Sequence, residues 1–222
     1  SLYFPSLFYP VIIFYSYQII TRNRDWLTED RLFASAYEVA PNSIVNKTNQ
    51  AYLYMKNNDL QKAKEEIDAV LIIQPDHLGA LHLAGRIYQL RGDVEKAYRF
   101  WSRALEIKPN YIRAIMNMGQ IEYESGQYEK AEKTLTQAVE FNPRWNEVFL
   151  LAMTKTKLKK YDESIAIISK YFGDNPENNN LKFALGLAYY RKGDWQKAKF
   201  YFDQSRNPEV SEEEFIKALE SL

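Results

Sequence analysis

The sequence predicts an all-α protein made of stacked helix-turn-helix repeats, and two observations carry this prediction. Prolines recur at an almost constant interval: they stand at positions 41, 75, 109, 143 and 176, which are 34, 34, 34 and 33 residues apart. Between them, glycine and alanine return at fixed offsets, as in Gly85, Gly92 and Ala97 of the stretch 78–111. Self-similarity at a period of this length is typical of repeat arrays, in which each unit packs on its neighbours.

The stretch 78–111 shows why such a unit forms two helices. Gly85 and Ala97 have no bulky side chain, so two helices can approach closely there, and Trp101 fills the space between them. Gly92 permits the turn between the helices, because glycine tolerates left-handed backbone geometry. Pro109 ends the second helix, because proline has no backbone N–H to donate. We therefore expect one pair of helices in each proline interval.

Counted from Leu78, the small residues stand at positions 8, 20 and 27 and the proline at position 32, a pattern that resembles the tetratricopeptide repeat. The resemblance implies an all-α, right-handed superhelix of about five repeats. From the residues at its two ends we expect a hydrophobic helix and a half-repeat before it and a short C-terminal capping helix after it. The resemblance also implies a scaffold whose concave groove binds an extended peptide or a partner protein. The repeats would span residues 44–77, 78–111, 112–145, 146–178 and 179–208.

Three repeats depart from the pattern. In repeat one, Asn58 replaces glycine at the turn, and we attribute this to the tolerance of asparagine for left-handed geometry. In repeat three, Glu122 takes position 11, where an aromatic residue is expected. In repeat four, Met153 stands at the small-residue position 8, and one residue is missing near Lys159 and Lys160. We expect a local change in curvature at repeat four.

Segment 1–21 carries no charge, whereas the rest of the chain is rich in charged residues. A helix over residues 2–20 would be about 28 Å long, close to the thickness of the hydrocarbon core of a bilayer. The segment is therefore predicted to be a membrane-exit helix, although Pro5 and Pro10 argue against one unbroken helix. Alternatively, it is the buried first helix of a degenerate repeat that ends at Pro41.

Residues 22–43 form a junction between this segment and the first repeat. Thr28 can cap a helix whose first turn carries Glu29 and Asp30, which suit the positive end of the helix dipole. The inner face of that helix would carry Leu32, Phe33, Ala36 and Val39.

The motif RNRDWLTEDRLFASA in the junction resembles the sequence that follows the last membrane helix of the transmembrane and tetratricopeptide-repeat O-mannosyltransferases. That resemblance implies that the repeats lie on the extracytoplasmic side of a membrane. Arg22 and Arg24, directly after the apolar segment, instead favour a cytoplasmic repeat domain by the positive-inside rule. We expect the extracytoplasmic side, because the two arginines belong to the motif itself.

The C-terminal segment 209–222 is predicted to be a capping helix. Ser211 and Glu214 have the spacing of a capping box, which marks a helix start. Phe215, Leu219 and Leu222 would then lie on one face of the helix and cover the exposed end of the last repeat, as terminal caps of repeat arrays do.

Composition excludes several classes of function. Lys plus Arg and Asp plus Glu number 29 each, so we expect no broad basic surface for nucleic acid. The chain contains no cysteine, which excludes disulfides and thiolate chemistry. His77 and His82 straddle a turn and do not form the i, i+4 pair of a helical metal site. Glycine-rich phosphate loops are absent too, so we expect no cofactor, no metal and no enzyme activity of this chain alone.

The candidate binding site is the concave groove that the repeat resemblance implies, lined by positions 2, 5, 6, 9, 12 and 13 of each first helix. This surface combines aromatic rings, amides and two arginines. Such side chains suit the backbone of an extended peptide and, through Arg86 and Arg113, an acidic group. The candidate residues are Thr48, Asn49, Tyr52, His82, Arg86, Gln89, Arg113, Asn117, Gln120, Tyr123, Lys157 and Tyr190.

Two functions remain open at this point. The first is a protein-interaction scaffold that segment 1–21 tethers to a membrane. The second follows from the junction resemblance: an accessory domain that presents acceptor polypeptides to a multi-pass membrane glycosyltransferase of the C type, whose catalytic part is not in this chain. In both cases we expect a protein or peptide as the partner.

Overall fold

The computed structural model of the chain describes residues 28–205, and within this range it contains eleven α-helices and no β-strand. The predicted membrane-exit helix and the predicted C-terminal capping helix lie outside the described residues. The helices are α1 Glu29–Val39, α2 Ile44–Lys56, α3 Leu60–Ile73, α4 Leu78–Leu90, α5 Val94–Ile107, α6 Ile112–Glu124, α7 Tyr128–Phe141, α8 Trp145–Lys157, α9 Tyr161–Phe172, α10 Asn179–Lys192 and α11 Trp195–Ser205.

The helices belong to two compact units, which meet in sequence between Arg103 and Ala104, within α5. In the first unit α1 packs on α2, α2 packs on α3, and α4 contacts both α2 and α3. Its core is formed largely by small and branched aliphatic side chains. The fully buried ones include Ala51, Ala63, Ile67, Val70 and Ile87.

In the second unit the first helices of successive pairs contact one another: α8 lies against both α6 and α10. The second helices pack behind them, α7 on α6 and α8, α9 on α8 and α10, and α11 on α10. One apolar cluster runs through α7 to α11. It includes Leu135, Val148, Leu151, Ile168, Leu181, Leu185 and Phe202.

Glycines mark the points where paired helices approach most closely. A methyl group placed on Gly85 would lie 2.2 Å from Nε1 of Trp101, and one on Gly119 would lie 2.6 Å from Cδ2 of Leu135. Distances this short are steric overlaps, so only glycine fits without movement of the Trp101 or Leu135 side chain. The expectation that Gly85 permits close packing under Trp101 is confirmed.

The turn after each first helix contains one residue with positive φ. In the first unit these are Asn58 (φ 61°) and Gly92 (φ 79°), which confirms the interpretation of asparagine at the turn of repeat one. In the second unit they are Gly126 (φ 74°), Lys159 (φ 61°) and Gly193 (φ 90°). These five residues are therefore equivalent, and Lys159 occupies the glycine position of repeat four.

This equivalence corrects the register predicted for repeat four. The connection between α8 and α9, Leu158 to Lys160, has three residues, as many as the connection between α6 and α7, so no residue is missing near Lys159 and Lys160. The shortening lies instead between α7 and α8, where three residues connect the helices and the corresponding connection between α5 and α6 has four. Consequently the small-residue position of repeat four is held by Ala152, which is fully buried, and not by Met153.

The first described helix, α1, begins as predicted. The Thr28 hydroxyl accepts a hydrogen bond of 3.3 Å from the Arg31 N–H, and Glu29 and Asp30 lie in the first turn. The predicted inner face was wrong at its end, because Val39 is 79% exposed. Over residues 28–205, no helix combines the length and the apolar character needed to cross a membrane.

Candidate functional site

The predicted groove residues all lie on first helices, that is, on α2, α4, α6, α8 or α10. In the first unit, Thr48, Asn49 and Tyr52 lie on α2 and His82, Arg86 and Gln89 on α4, and these two helices are in contact. In the second unit, Arg113, Asn117, Gln120 and Tyr123 lie on α6, Lys157 ends α8, and Tyr190 lies on α10. The structure thus brings the candidates together within each unit.

On the first unit, hydrogen bonding differs among the candidates. The Thr48 hydroxyl donates to the Ile44 carbonyl of its own helix over 2.7 Å, which occupies it internally. The guanidinium Nε of Arg86 is buried and has no hydrogen-bond partner within the described chain. His77, which the sequence assigned no binding role, accepts the Ala80 N–H through Nδ1 at 3.1 Å and so caps α4.

On the second unit, Asn117 differs from the other candidates because it is buried and polar. This residue is only 7% exposed, and its side-chain amide nitrogen has no hydrogen-bond partner among the described residues. Arg113 and Gln120 are four residues before and three after it, so the three side chains share one face of α6. Gln120 donates to Glu124 one turn later over 2.8 Å, whereas Arg113 is exposed.

Aromatic rings lie on α6 itself and on α10. Burial, with a smaller effect from the neighbouring Tyr128, raises the pKa of Tyr123, so its hydroxyl stays protonated at neutral pH. Its ring meets that of Tyr128 edge to face at 5.5 Å. Tyr190 on α10 contacts Trp195 edge to face at 5.0 Å. These rings are held by their neighbours, so they offer rigid apolar surface to a ligand.

A pocket of about 190 Å³ opens beside the C-terminal ends of α8 and α10. One of the predicted residues, Lys157, lines it. The complete lining is Met153, Thr156, Lys157, Lys159, Tyr161, Leu187 and Arg191. The pocket therefore combines two apolar walls with two hydroxyl groups and three cationic side chains.

The sequence reasoning missed Lys159 and Arg191 as site residues. Lys159 was missed because the predicted register placed a missing residue at this turn. The structure instead has a turn of ordinary length, with Lys159 at the position of positive φ. Arg191 occupies position 13 of repeat five, and position 13 is one of the predicted groove positions. The repeat numbering alone could therefore have identified Arg191. The pocket itself depends on how α8, α9 and α10 pack, which a residue pattern does not specify.

The site offers hydrogen-bond donors and apolar surface rather than reactive groups. Within residues 28–205, no group of His, Asp and Glu side chains is arranged as a metal site. The arrangement on the second unit can hold a polar, extended ligand through the Asn117 amide, the Arg113 guanidinium and the aromatic rings of α6 and α10.

Comparison with known proteins agrees with the helix pairing. Sequence profiles of the tetratricopeptide repeat match residues 47–77, 76–144 and 149–205. No curated protein matches the chain significantly.

Several solved structures have a similar fold. PilF of Pseudomonas aeruginosa is 19% identical, with a TM-score of 0.65 over 73% of this chain and 74% of its own. YrrB, described as a tetratricopeptide repeat protein with an unusual peptide-binding site, is 20% identical, with a TM-score of 0.63 over 86% of this chain and 98% of its own. A tetratricopeptide repeat protein of Parabacteroides merdae is 22% identical, with a TM-score of 0.60 over 90% and 77%. At such identities the likeness shows the fold alone. Since the repeat profiles together match most of the chain, this protein belongs to the tetratricopeptide repeat family.

Proposed function

We propose that this chain is a protein-interaction scaffold that holds an extended peptide segment of its partner on the first helices of its second unit. Repeats of this family are typical of protein–protein interaction and generally serve as non-catalytic scaffolds. Helices α6, α8 and α10 lie side by side in the second unit and form one face. The partly buried side chains Met116, Phe149 and Phe183 on these helices pack against the core cluster and supply apolar surface.

The observation that carries this proposal is the unpartnered amide of Asn117. Burying a donor without a partner costs about 1–3 kcal/mol, so such a group in a folded protein calls for an explanation. A backbone carbonyl of an extended peptide would accept a hydrogen bond from this amide, as peptide-binding grooves commonly arrange. Arg113 on the same face would add a donor for an acidic side chain of the peptide. YrrB, whose fold is similar, is described as having a peptide-binding site, which supports this choice of ligand by analogy.

Selection of random peptides on the full chain, followed by titration of the peptides obtained, tests the proposal. Replacement Asn117→Leu should weaken binding about tenfold, because one buried hydrogen bond to the peptide is lost. The same replacement should leave the free energy of unfolding equal or higher, because it removes an unsatisfied buried group. Gln137→Ala, on the exposed side of α7, is the matched control and should bind like the unaltered chain. Equal affinity of the Asn117→Leu variant for every selected peptide would show that this face is not the binding site.

We also propose that segment 1–21 attaches the scaffold to a membrane, with the repeats on the extracytoplasmic side. The absence of charge in this segment supports the attachment. Flotation of the chain with phosphatidylcholine vesicles tests it: the full chain should float, and the variant Ile12→Glu should stay in solution. If the full chain and the variant floated alike, the proposed membrane attachment would be contradicted.

A protease test addresses the side of the membrane on which the repeats lie. Protease added outside intact cells that produce the chain should cleave the repeats. If the repeats were cleaved only after lysis of the cells, the extracytoplasmic placement would be contradicted.

A further inference from the structure

We propose that the pocket between α8, α9 and α10 is an anion-binding subsite, which takes an acidic side chain of the peptide that the second unit holds. This inference rests on the proposed function, since it names the chemistry of one residue of that ligand. The pocket opens beside the C-terminal ends of α8 and α10, two of the three first helices that form the proposed peptide-binding face.

The size and walls of the pocket suit such a group. A volume of about 190 Å³ is several times the roughly 30 Å³ that one water molecule occupies in the liquid. A carboxylate or a phosphoryl group with its carbon stem therefore fits. Met153 and Leu187 offer apolar contact to the stem, and the Tyr161 hydroxyl offers a donor to the anion. The Thr156 hydroxyl is already bonded to the Ala152 carbonyl and to Ser164, so we assign it no direct contact with the ligand.

Charge in the pocket is strongly one-sided. Lys157, Lys159 and Arg191 line it, and no carboxylate lines it with them. Neither Lys159 nor Arg191 has an ion-pair partner in the described part of the chain. Arg191 lies over the Tyr190 ring at 5.9 Å, which leaves its guanidinium N–H groups able to donate.

Acidic residues close in sequence are engaged elsewhere. Asp162 pairs with Lys192, and Glu163 pairs with Lys155 over 2.7 Å. The negative ends of the α8 and α10 dipoles lie nearby, but each corresponds to only roughly half an elementary charge. The positive end of α9, which begins at the lining residue Tyr161, cancels about one of these two half charges, so the helix ends leave most of the charge of Lys159 and Arg191 uncompensated. An anionic ligand would supply the remaining countercharge.

The backbone at Lys159 points to the same role. The equivalent turn residues are glycine in three repeats and asparagine in one, and these tolerate left-handed geometry, whereas lysine adopts it at an energetic cost. No atom lies within 4 Å of a Cβ built on Gly92, Gly126 or Gly193, so the cost at this turn is one of backbone conformation and not of collision. A residue kept in an unfavourable conformation is a frequent mark of a functional site. Here the strained residue carries one of the three cations.

The pocket is tested without any peptide by nuclear magnetic resonance on the full chain. Phenyl phosphate and benzoate are the anionic probes, and benzamide is the neutral one. Saturable shifts of the Thr156, Lys159 and Tyr161 amide resonances with an anion, and none with benzamide, are expected. The probe that binds more tightly identifies phosphoryl or carboxylate as the preferred group. If neither anion caused saturable shifts, the inference would be overturned, whether or not the chain binds peptides.

Two variants separate a binding role from a structural one. Lys159→Gly should raise Tm, because glycine accepts the turn geometry, and should weaken anion binding about tenfold, because one charged donor is lost. Arg191→Gln should weaken anion binding to a similar degree. Lys133→Gln, which removes an exposed charge from α7, is the matched control. If Lys159→Gly raised Tm and left anion binding unchanged, Lys159 would not belong to the subsite.

The link to peptide binding has its own outcome. Peptides selected on the chain are resynthesised with glutamate, glutamine, phosphoserine or serine at each position in turn. At one position an acidic form should bind about tenfold more tightly than its neutral form, and Lys159→Gly should abolish the difference. If no peptide is selected at all, the proposed function fails while the resonance experiment still decides the pocket. If peptides bind without any charge preference, the subsite assignment fails and the scaffold function stands.

Discussion

Gly119 shows how a single missing side chain sets the distance between two helices. The Cδ2 atom of Leu135, on α7, would lie 2.6 Å from a methyl group at this position of α6. The Gly119→Ala variant should therefore lose about 1–3 kcal/mol of unfolding free energy, because the leucine must leave its position in a close-packed core. Chemical denaturation measures the loss.

A second substitution provides the control for this prediction. Leu135→Ala removes both colliding atoms, Cδ2 at 2.6 Å and Cγ at 2.7 Å. The double variant Gly119→Ala, Leu135→Ala should therefore be more stable than the sum of the two single losses predicts. Additive losses would mean that the glycine serves the helix itself and not the contact with Leu135.

Among the helices, α1 is anchored by a small set of polar contacts rather than by a deep apolar face. The Tyr37 hydroxyl donates to Glu66 on α3 over 2.5 Å, and Lys47 on α2 pairs with the same carboxylate at 3.1 Å. Asn46 on α2 donates to the carbonyls of Ala36 and Ala40 at 2.7 and 3.0 Å and so satisfies the C-terminal end of α1. Glu66 therefore ties three helices together.

Tyr37 makes this anchor sensitive to alkali. The hydrogen bond to the Glu66 carboxylate, assisted by burial and by its negative charge, raises the pKa of Tyr37 from 10.0 to about 12. The protonated hydroxyl is thus favoured in the folded state, so its contribution is complete below pH 10 and is lost as pH rises through about 12. Tyr37→Phe should lower the unfolding free energy by about 1 kcal/mol at neutral pH. The difference from the unaltered chain should shrink above pH 10; a constant difference would contradict the assignment.

In the second unit, Glu132 on α7 plays a comparable part. It accepts hydrogen bonds of 2.7 Å from Lys155 on α8 and from Lys160 in the turn that follows. Burial alone would raise the pKa of Glu132, but the two lysine hydrogen bonds outweigh it and hold that pKa below its ordinary value. The stabilisation is therefore present above the ordinary carboxyl pKa and is lost as pH falls through the lower folded value.

Glu132→Gln should lower the unfolding free energy at neutral pH by about 1–3 kcal/mol, because the largely buried Lys155 loses a charged partner. Denaturation curves at neutral and strongly acidic pH measure the effect, which should be much smaller in acid. Glu129→Gln, at an exposed position of α7, is the control and should change stability little. An undiminished loss in acid would mean that the side-chain shape matters rather than its charge.

At the scale of the element, the sequence predicted the helix pairs correctly but placed repeat four one residue out of register. The period and the residues Gly85, Asn58 and Gly92 have direct physical meaning, and the structure confirms each of them. The register predicted for repeat four was wrong because the shortened connection at Pro143 shifts every later position of the repeat by one residue. No local signal in the sequence distinguishes a residue missing at Pro143 from one missing at Lys159. Ala152 and Met153 are adjacent, so both registers placed a small or flexible side chain at position 8 of the repeat, and neither register could be excluded.

The site was harder to predict for a related reason. A face position such as that of Asn117 follows from repeat numbering, but whether its amide finds a partner depends on every neighbouring side chain. Likewise, the cationic pocket joins side chains of α8, α10 and the turn after α8. The sequence could supply candidates for the site, whereas burial and pairing come only from packing.

At the scale of the whole molecule, a repeat array must close its ends, because each repeat buries its apolar surface only against a neighbour. The last described helix, α11, leaves Trp195 63% and Phe200 52% exposed. Segment 209–222 follows it and carries Phe215, Leu219 and Leu222 at helical spacing. We expect these three side chains to pack at the end of the array.

Deleting residues 209–222 should therefore lower the unfolding free energy by about 3 kcal/mol, since fully burying one such side chain contributes about 1.5–3 kcal/mol and these three bury only in part. It should also increase binding of a dye that senses apolar surface. Phe215→Ser in the intact chain should reproduce part of the loss, while Lys217→Ser, two residues later on a different side of the helix, should not. If the deletion changed neither stability nor dye binding, the segment would not be a cap, and the aromatic side chains of α11 would be the true end of the array.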